Sequence, residues 1–212
     1  MKQIQQQLSL AVFICAILWV NGCAPVFSDL QSARTVPKGK VQLTPSFSSV
    51  SFTEDGETEK VQNVFGGQLA IGVHESSEFR LAFARVDFPE GTGVNVFGFG
   101  PKFSIVKDQV AFYLPVGFAF GEGIEVSETW DMHPTVIFTT LPHQNIEINP
   151  SAKVLIALNS DRDTLLAFNL GLGLSNNFER WAIRPEIGIL VNPGESGFFT
   201  AYSVGISLTP SK

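Results

Sequence analysis

The stretch that most restricts how this chain folds is Thr164 to Leu174, TLLAFNLGLGL. Extended backbone sends successive side chains to opposite faces. Leu166, Phe168, Leu170, Leu172 and Leu174 therefore share one face, and Ala167, Asn169, Gly171 and Gly173 share the other. One face is bulky and apolar; the other is small and uncharged. A strand face in water normally carries charged residues for solubility and edge protection. The quiet face instead suits the crowded inside of a barrel, where small residues are needed. That leaves the bulky face to meet lipid.

The same pairing recurs along the chain. In 109–120, Val110, Phe112, Leu114, Val116, Phe118 and Phe120 oppose Ala111, Tyr113, Pro115, Gly117 and Ala119. In 198–209, Phe198, Tyr202, Val204, Ile206 and Leu208 oppose Phe199, Ala201, Ser203, Gly205 and Ser207. Ten alternating runs are marked by turn residues: 41–53, 61–74, 79–88, 94–106, 109–120, 130–141, 146–158, 164–175, 181–191 and 198–209. Most exceed the roughly 9–11 residues that a tilted strand needs to cross a bilayer. Beyond the N-terminus no span reaches the roughly 18 continuous apolar residues of a membrane helix. A membrane setting therefore demands a closed barrel, because unpaired backbone groups are not tolerated in hydrocarbon.

Composition agrees with that setting. Charged residues make up 16% of the chain, mean hydropathy is +0.19, and there are 19 Phe among 212 residues. Soluble domains carry about 25% charged residues. A net charge of −6 and the lack of a basic run exclude nucleic acid as a partner. Both cysteines, Cys15 and Cys23, lie in the N-terminal segment, so the rest of the chain has no disulfide framework and no thiolate metal site.

The connections alternate in kind. Glu75–Glu78, Lys107–Asp108, Pro142–Asn145 and Asn176–Arg180 are short turns. Glu54–Lys60, Pro89–Gly93, Gly121–Thr129, Asn159–Asp163 and Asn192–Gly197 tend to be longer and richer in Gly or acid. Outer-membrane barrels have even strand numbers, short periplasmic turns and longer outer loops. The fold expected is all-β: a single antiparallel up-and-down transmembrane β-barrel of about ten strands, with both ends on the short-turn side.

Residues 1–22 read as a signal peptide, with Lys2 as the positive region and Leu8 to Val20 as the apolar region. The following Val20-Asn21-Gly22-Cys23 resembles the lipobox of bacterial lipoproteins, with Asn21 departing from the small residue usual there. The resemblance implies cleavage before Cys23 and acylation of Cys23 by the lipoprotein processing machinery. Ala24, in place of a retaining aspartate, implies export to the outer membrane. Residues 23–40 are polar beyond that point and show no periodicity, so they read as a lipidated tether; 41–212 is the barrel domain. The last run partly resembles the C-terminal signal read by the barrel assembly machinery. Ser203, Gly205 and Leu208 match it, but Pro210 stands where the final apolar or aromatic residue belongs. Residues 41–209 as a whole resemble small outer-membrane barrel proteins in pattern. The partners implied are outer-membrane lipid and these two machineries.

The charges that fall on quiet faces are Arg80, Lys102, Glu147, Lys153, Arg184 and Glu186. Inside a barrel each needs a partner or water, since a lone buried charge is costly. They read as lumen ion pairs, or as a constriction that selects solutes. Trp130 and Phe198 near outer ends, and Phe79, Phe178 and Trp181 near inner ends, fit interfacial belts. Ser127, Asp131 and His133 are the only arrangement with the ingredients of acyl transfer, which needs a nucleophile, a base and an orienting acid. No His-any-Ser pair lies on a strand, so no catalytic residue is assigned. The acids Asp87, Asp131 and Asp161 are not brought together by the sequence, and Glu54, Asp55, Glu57 and Glu59 lack the spacing of a calcium loop. Gly98 to Gly100 follows no βαβ pattern, so no metal and no cofactor is expected. The leading function is structural or that of a narrow pore. The alternatives are a lipidated periplasmic barrel with an apolar ligand inside, and an outer-membrane lipid-modifying enzyme.

Overall fold

In a computed structural model the residues described are 26–89, 91, 93–159 and 162–210. Their strands are β1 (Val41–Glu54), β2 (Glu57–His74), β3 (Ser77–Asp87), β4 (Gly93–Val106), β5 (Val110–Tyr113), β6 (Val116–Phe120), β7 (Asp131–Met132), β8 (Thr135–Phe138), β9 (Thr140–His143), β10 (Ile146–Ala157), β11 (Leu165–Leu174), β12 (Trp181–Val191) and β13 (Phe198–Leu208). They make ten staves. β5 and β6 form one interrupted stave against β4, and β7, β8 and β9 form the next, against β10. All neighbours run antiparallel, and β13 returns to β1 with Leu43 opposite Leu208 and Thr53 opposite Phe198. The sheet is closed, which removes the free edge that an open sheet would present.

A proline stands at the first break of each interrupted stave. Pro115 follows β5 and Pro134 follows β7, and neither has an N–H to give to a ladder. Single bonds bridge the gaps: Leu114 N–H donates to the Pro101 carbonyl (3.0 Å) and His133 N–H to the Pro115 carbonyl (2.9 Å). Runs 109–120 and 130–141 are thus broken, not continuous. Another expectation also shifts: Glu54–Lys60 is not a loop. β1 and β2 meet through Asp55 and Gly56, whose φ values of 51° and 82° suit the tight turn that matches strand twist.

The faces divide as an inside-out protein. On β11, Phe168 is 55% and Leu170 50% exposed, while Ala167 and Asn169 are buried. On β12, Ile183, Ile187 and Ile189 point outward, and Ala182, Arg184, Glu186 and Leu190 point inward. Phe47, Phe65, Phe83, Phe103, Phe138, Val204 and Ile206 extend the outer belt around the circumference. Apolar surface continuous over a whole circumference marks contact with lipid, not water. Near the ends of the strands the belt gives way to polar groups. On β3 the outward Phe83 is followed by Arg85 and Asp87, paired at 2.9 Å. On β1 the outward Phe47 is followed by Ser49, Ser51 and Thr53. Trp130 stacks against the outward Phe118 (4.8 Å) beside one set of connections, and the Trp181 indole donates to Asn176 (3.1 Å) beside the other. No described helix is long and apolar enough to cross a membrane. The chain is a single antiparallel up-and-down barrel of the transmembrane kind.

One stretch departs from its expected place. Residues 23–40 read as a tether outside the barrel, yet over the described part Phe27, Asp29, Leu30, Gln31, Ser32, Ala33 and Val36 are all buried. The segment lies in the lumen. It has no strand periodicity because its backbone groups are bonded by side chains pointing in from the wall, not by a ladder.

Candidate functional site

The site is this occupied lumen. The barrel has a turn end, where β1 begins, β13 ends and the connections 75–76, 107–109, 144–145 and 175–180 lie, and a loop end, where β1, β3, β6, β10 and β12 finish. The inner segment enters at the turn end. Gly39 N–H donates to the Gly72 carbonyl (2.9 Å) and Gly72 N–H to the Lys40 carbonyl (3.0 Å). Any side chain at Gly72 would run into the carbonyls of Val36 and Pro37, so the chain passes here against bare backbone. The Thr35 hydroxyl then donates to the Glu75 carbonyl (3.1 Å), and Val36 N–H to the Glu78 carboxylate.

Just inside the turn end the wall is charged. Adjacent register on β3 and β4 puts Glu78 beside Lys102 (3.0 Å), and Arg80 reaches the same carboxylate (2.5 Å). The Lys102 ammonium also donates to the carbonyls of Ser32 (2.8 Å) and Arg34 (2.7 Å). Across the lumen Glu147 takes Arg34 (2.6 Å) and Arg184 (3.4 Å), and the Arg184 Nε donates to Ser207. Arg34 also lies over the Phe178 ring, 5.8 Å from its centroid. Wall and segment thus neutralise one another, as buried charges require.

At mid-height the segment itself carries the charge. The Asp29 carboxylate accepts from Lys153 (2.7 Å), Ser151 (2.5 Å) and Asn169 (2.8 Å). Glu186 accepts the successive N–H groups of Asp29 (2.7 Å) and Leu30 (2.8 Å). Leu30 holds φ at 51°, a left-handed value uncommon for a side-chain residue. That conformation turns two consecutive N–H groups toward one anion. Ala33 N–H donates to the Thr139 hydroxyl, which donates in turn to Asn149 (both 2.7 Å).

Toward the loop end the lumen becomes apolar. Phe27 packs with Val50, Val64, Ala84, Val86, Leu155, Ala167, Leu190 and Ala201, and Val26 rests against that cluster. Gly188 leaves room for the Phe27 ring: a Cβ there would lie 3.0 Å from it and collide with Asn169.

Arg80, Lys102, Glu147, Lys153, Arg184 and Glu186 are all buried in this lumen. They do not pair only among themselves. In the structure Arg184 belongs to Glu147, while Lys153 and Glu186 meet through Asp29. Three members escaped sequence reading. Glu78 was counted in a turn, although it alternates with Arg80 on one face; Asp29 and Arg34 sat in the stretch read as a tether. Cys23 and Asp161 lie outside the described residues. The apolar part of the lumen, where an apolar ligand would sit, holds the Phe27 side chain. The acyl-transfer arrangement is not assembled either. His133 lies 3.1 Å from Asp131, but the Ser127 hydroxyl donates to Glu125 (3.1 Å). Among the described residues no three His, Cys, Asp or Glu side chains gather in a way that would hold a metal ion.

No protein-family model matches the sequence, and a search of curated proteins finds no match. Solved structures with the same kind of fold do match. Ail, the attachment invasion locus protein of Yersinia pestis, is 15% identical over 82% of this chain and 99% of its own, with a TM-score of 0.39. The translocator domain of the autotransporter NalP from Neisseria meningitidis is 10% identical over 80% of this chain and 88% of its own, with a TM-score of 0.47. Neisserial surface protein A is 10% identical over 79% of this chain and 96% of its own, with a TM-score of 0.37.

Proposed function

We propose that the chain is an outer-membrane barrel lipoprotein whose own N-terminal segment seals it, with a structural role in the membrane and no solute path. Two attachments hold it: the apolar belt in the bilayer and an acylated Cys23. The observation that carries this reading is the filling of the lumen from Val36 to Phe27, with wall side chains bonded to the segment's backbone at Asp29, Leu30, Ala33 and Val36. A selective pore needs a continuous wet path past its charges, and these charges are spent on one another and on the segment. The barrel assembly and lipoprotein processing machineries are its expected partners, and no catalytic role is assigned to it.

Planar bilayers test the sealed lumen. The purified full chain is expected to insert without steady conductance; a stable ohmic step per inserted molecule would make it a pore. The belt is tested by Leu170→Arg, which places a charge on the 50%-exposed outer face. A midplane arginine costs about 2–4 kcal/mol in a membrane barrel. The variant should lose heat-modifiable gel mobility and leave the membrane fraction, and normal insertion would contradict the belt.

A further inference from the structure

The direction in which the segment climbs has a topological consequence. Its partners follow a single order along the barrel axis. Thr35 and Val36 meet Glu75 and Glu78 at the turn end. Asp29 and Leu30 meet Glu186, Ser151, Lys153 and Asn169 at mid-height. Phe27 clusters with Val50, Val86 and Leu190, and Val26 packs against the same cluster together with Phe88, Val94, Leu165 and Phe199, which lie at or next to the loop-end limits of their strands. The segment does not double back.

We infer that the mature amino end leaves the barrel at the loop end, so that Cys23 anchors the chain from the outer leaflet, through a segment threaded along its own lumen. The inference rests on the reading of the chain as an outer-membrane lipoprotein barrel. Its force is a matter of reach. Ten residue steps carry the chain from Val36 up to Val26, and only three such steps, through Pro25 and Ala24, lead from Val26 to Cys23. Three residues span at most about 10 Å fully extended. That keeps Cys23 on the loop-end side of the barrel, and is far too short to return to the turn end. The return path is in any case taken: Asp29, Leu30 and Ala33 occupy the lumen beneath Phe27. A lipid on the turn-end side would require the whole segment to come out of the barrel, leaving Lys153 without Asp29, Glu186 without the N–H groups of Asp29 and Leu30, and Lys102 without the carbonyls of Ser32 and Arg34. β13 ends and β1 starts at the turn end, so Cys23 and the end of the barrel's last strand lie on opposite faces of the membrane.

The test places a short epitope in the full-length chain at one of three points: between Ala24 and Pro25, between Glu195 and Ser196 in a loop-end connection, or after Lys212. Antibody binding is scored on intact cells and after permeabilisation. In an untagged chain, Ser28→Cys with Ser203→Cys gives a second reading, because the two hydroxyls lie 2.6 Å apart across the lumen. The expected result is binding of both the amino-terminal and the loop epitope on intact cells, binding of the C-terminal epitope only after permeabilisation, and a disulfide seen as a mobility shift on reduction. A loop epitope that binds on intact cells, with an amino-terminal epitope that does not, overturns the inference and leaves the barrel reading standing. A disulfide that fails to form does the same. A loop epitope hidden on intact cells overturns the barrel reading and the inference with it.

Discussion

The two halves of the lumen hold the same segment by different physics. Toward the turn end and mid-height, the wall is ionic: Glu78, Arg80, Lys102, Glu147, Arg184, Lys153 and Glu186 meet Arg34, Asp29 and the segment's backbone. Toward the loop end it is apolar, with Phe27 in a nest of Val, Ala and Leu. Ionic contacts are directional and interdependent, so they fix where each backbone group of the segment sits. Apolar packing excludes water with little directional demand. The ionic half therefore sets the path and register of the segment, and the apolar half stops the upper opening. Buried ion pairs are weak evidence for net stability, but breaking one is costly because it strands the other charge.

That contrast is tested most severely at Asp29. Asp29→Ala leaves Lys153 buried without its 2.7 Å partner, and losing one member of a buried pair costs about 3–5 kcal/mol. Denaturant unfolding in detergent should show that loss, and pairing Asp29→Asn with Lys153→Met should recover most of it. If Asp29→Ala unfolds like the parent, the ionic half does not fix the segment. Phe27→Ala should cost about 3 kcal/mol, from lost burial and the cavity left behind. Its effect should be local: hydrogen exchange should quicken at residues 26–28 while Asp29 to Val36 stay protected. Equal loosening along the whole segment would show that the halves are not distinct. Arg34→Ala should have the smallest effect, about 1 kcal/mol. Its side chain is 31% exposed, and Glu147 keeps Arg184 at 3.4 Å. The loss should shrink as salt is raised, whereas that of Asp29→Ala should not.

Orientation was legible because lipid and lumen make opposite demands on alternate residues. Ala167, Gly171 and Gly173 are too small for a solvent face, and they turn Phe168 and Leu170 outward. The same alternation put Arg184 and Glu186 inside. What the sequence hid is the segment that fills the lumen. Alternation is produced by a ladder between neighbouring strands, and residues 26–36 have none. Their partners lie far away in the chain: Asp29 and Leu30 bond Glu186, 157 and 156 residues on, and Ala33 bonds Thr139, 106 residues on. A polar stretch with two prolines therefore looked like a spacer. The pairing of the lumen charges was hidden for the same reason, since Lys153 and Glu186 meet only through Asp29. The residue that joins them lay in the part taken for a tether.

The orientation of the barrel wall is decided by which phenylalanine touches lipid. With Trp130 and Trp181 replaced by Phe, residues 23–212 carry no tryptophan, and a single one can be placed at Phe168 or at Phe27. Fluorescence is then read in liposomes whose acyl chains carry bromine, a contact quencher. Phe168→Trp should be strongly quenched and Phe27→Trp spared. Quenching at position 27 with none at position 168 would mean that the barrel does not hold its apolar belt in lipid around its own amino-terminal segment.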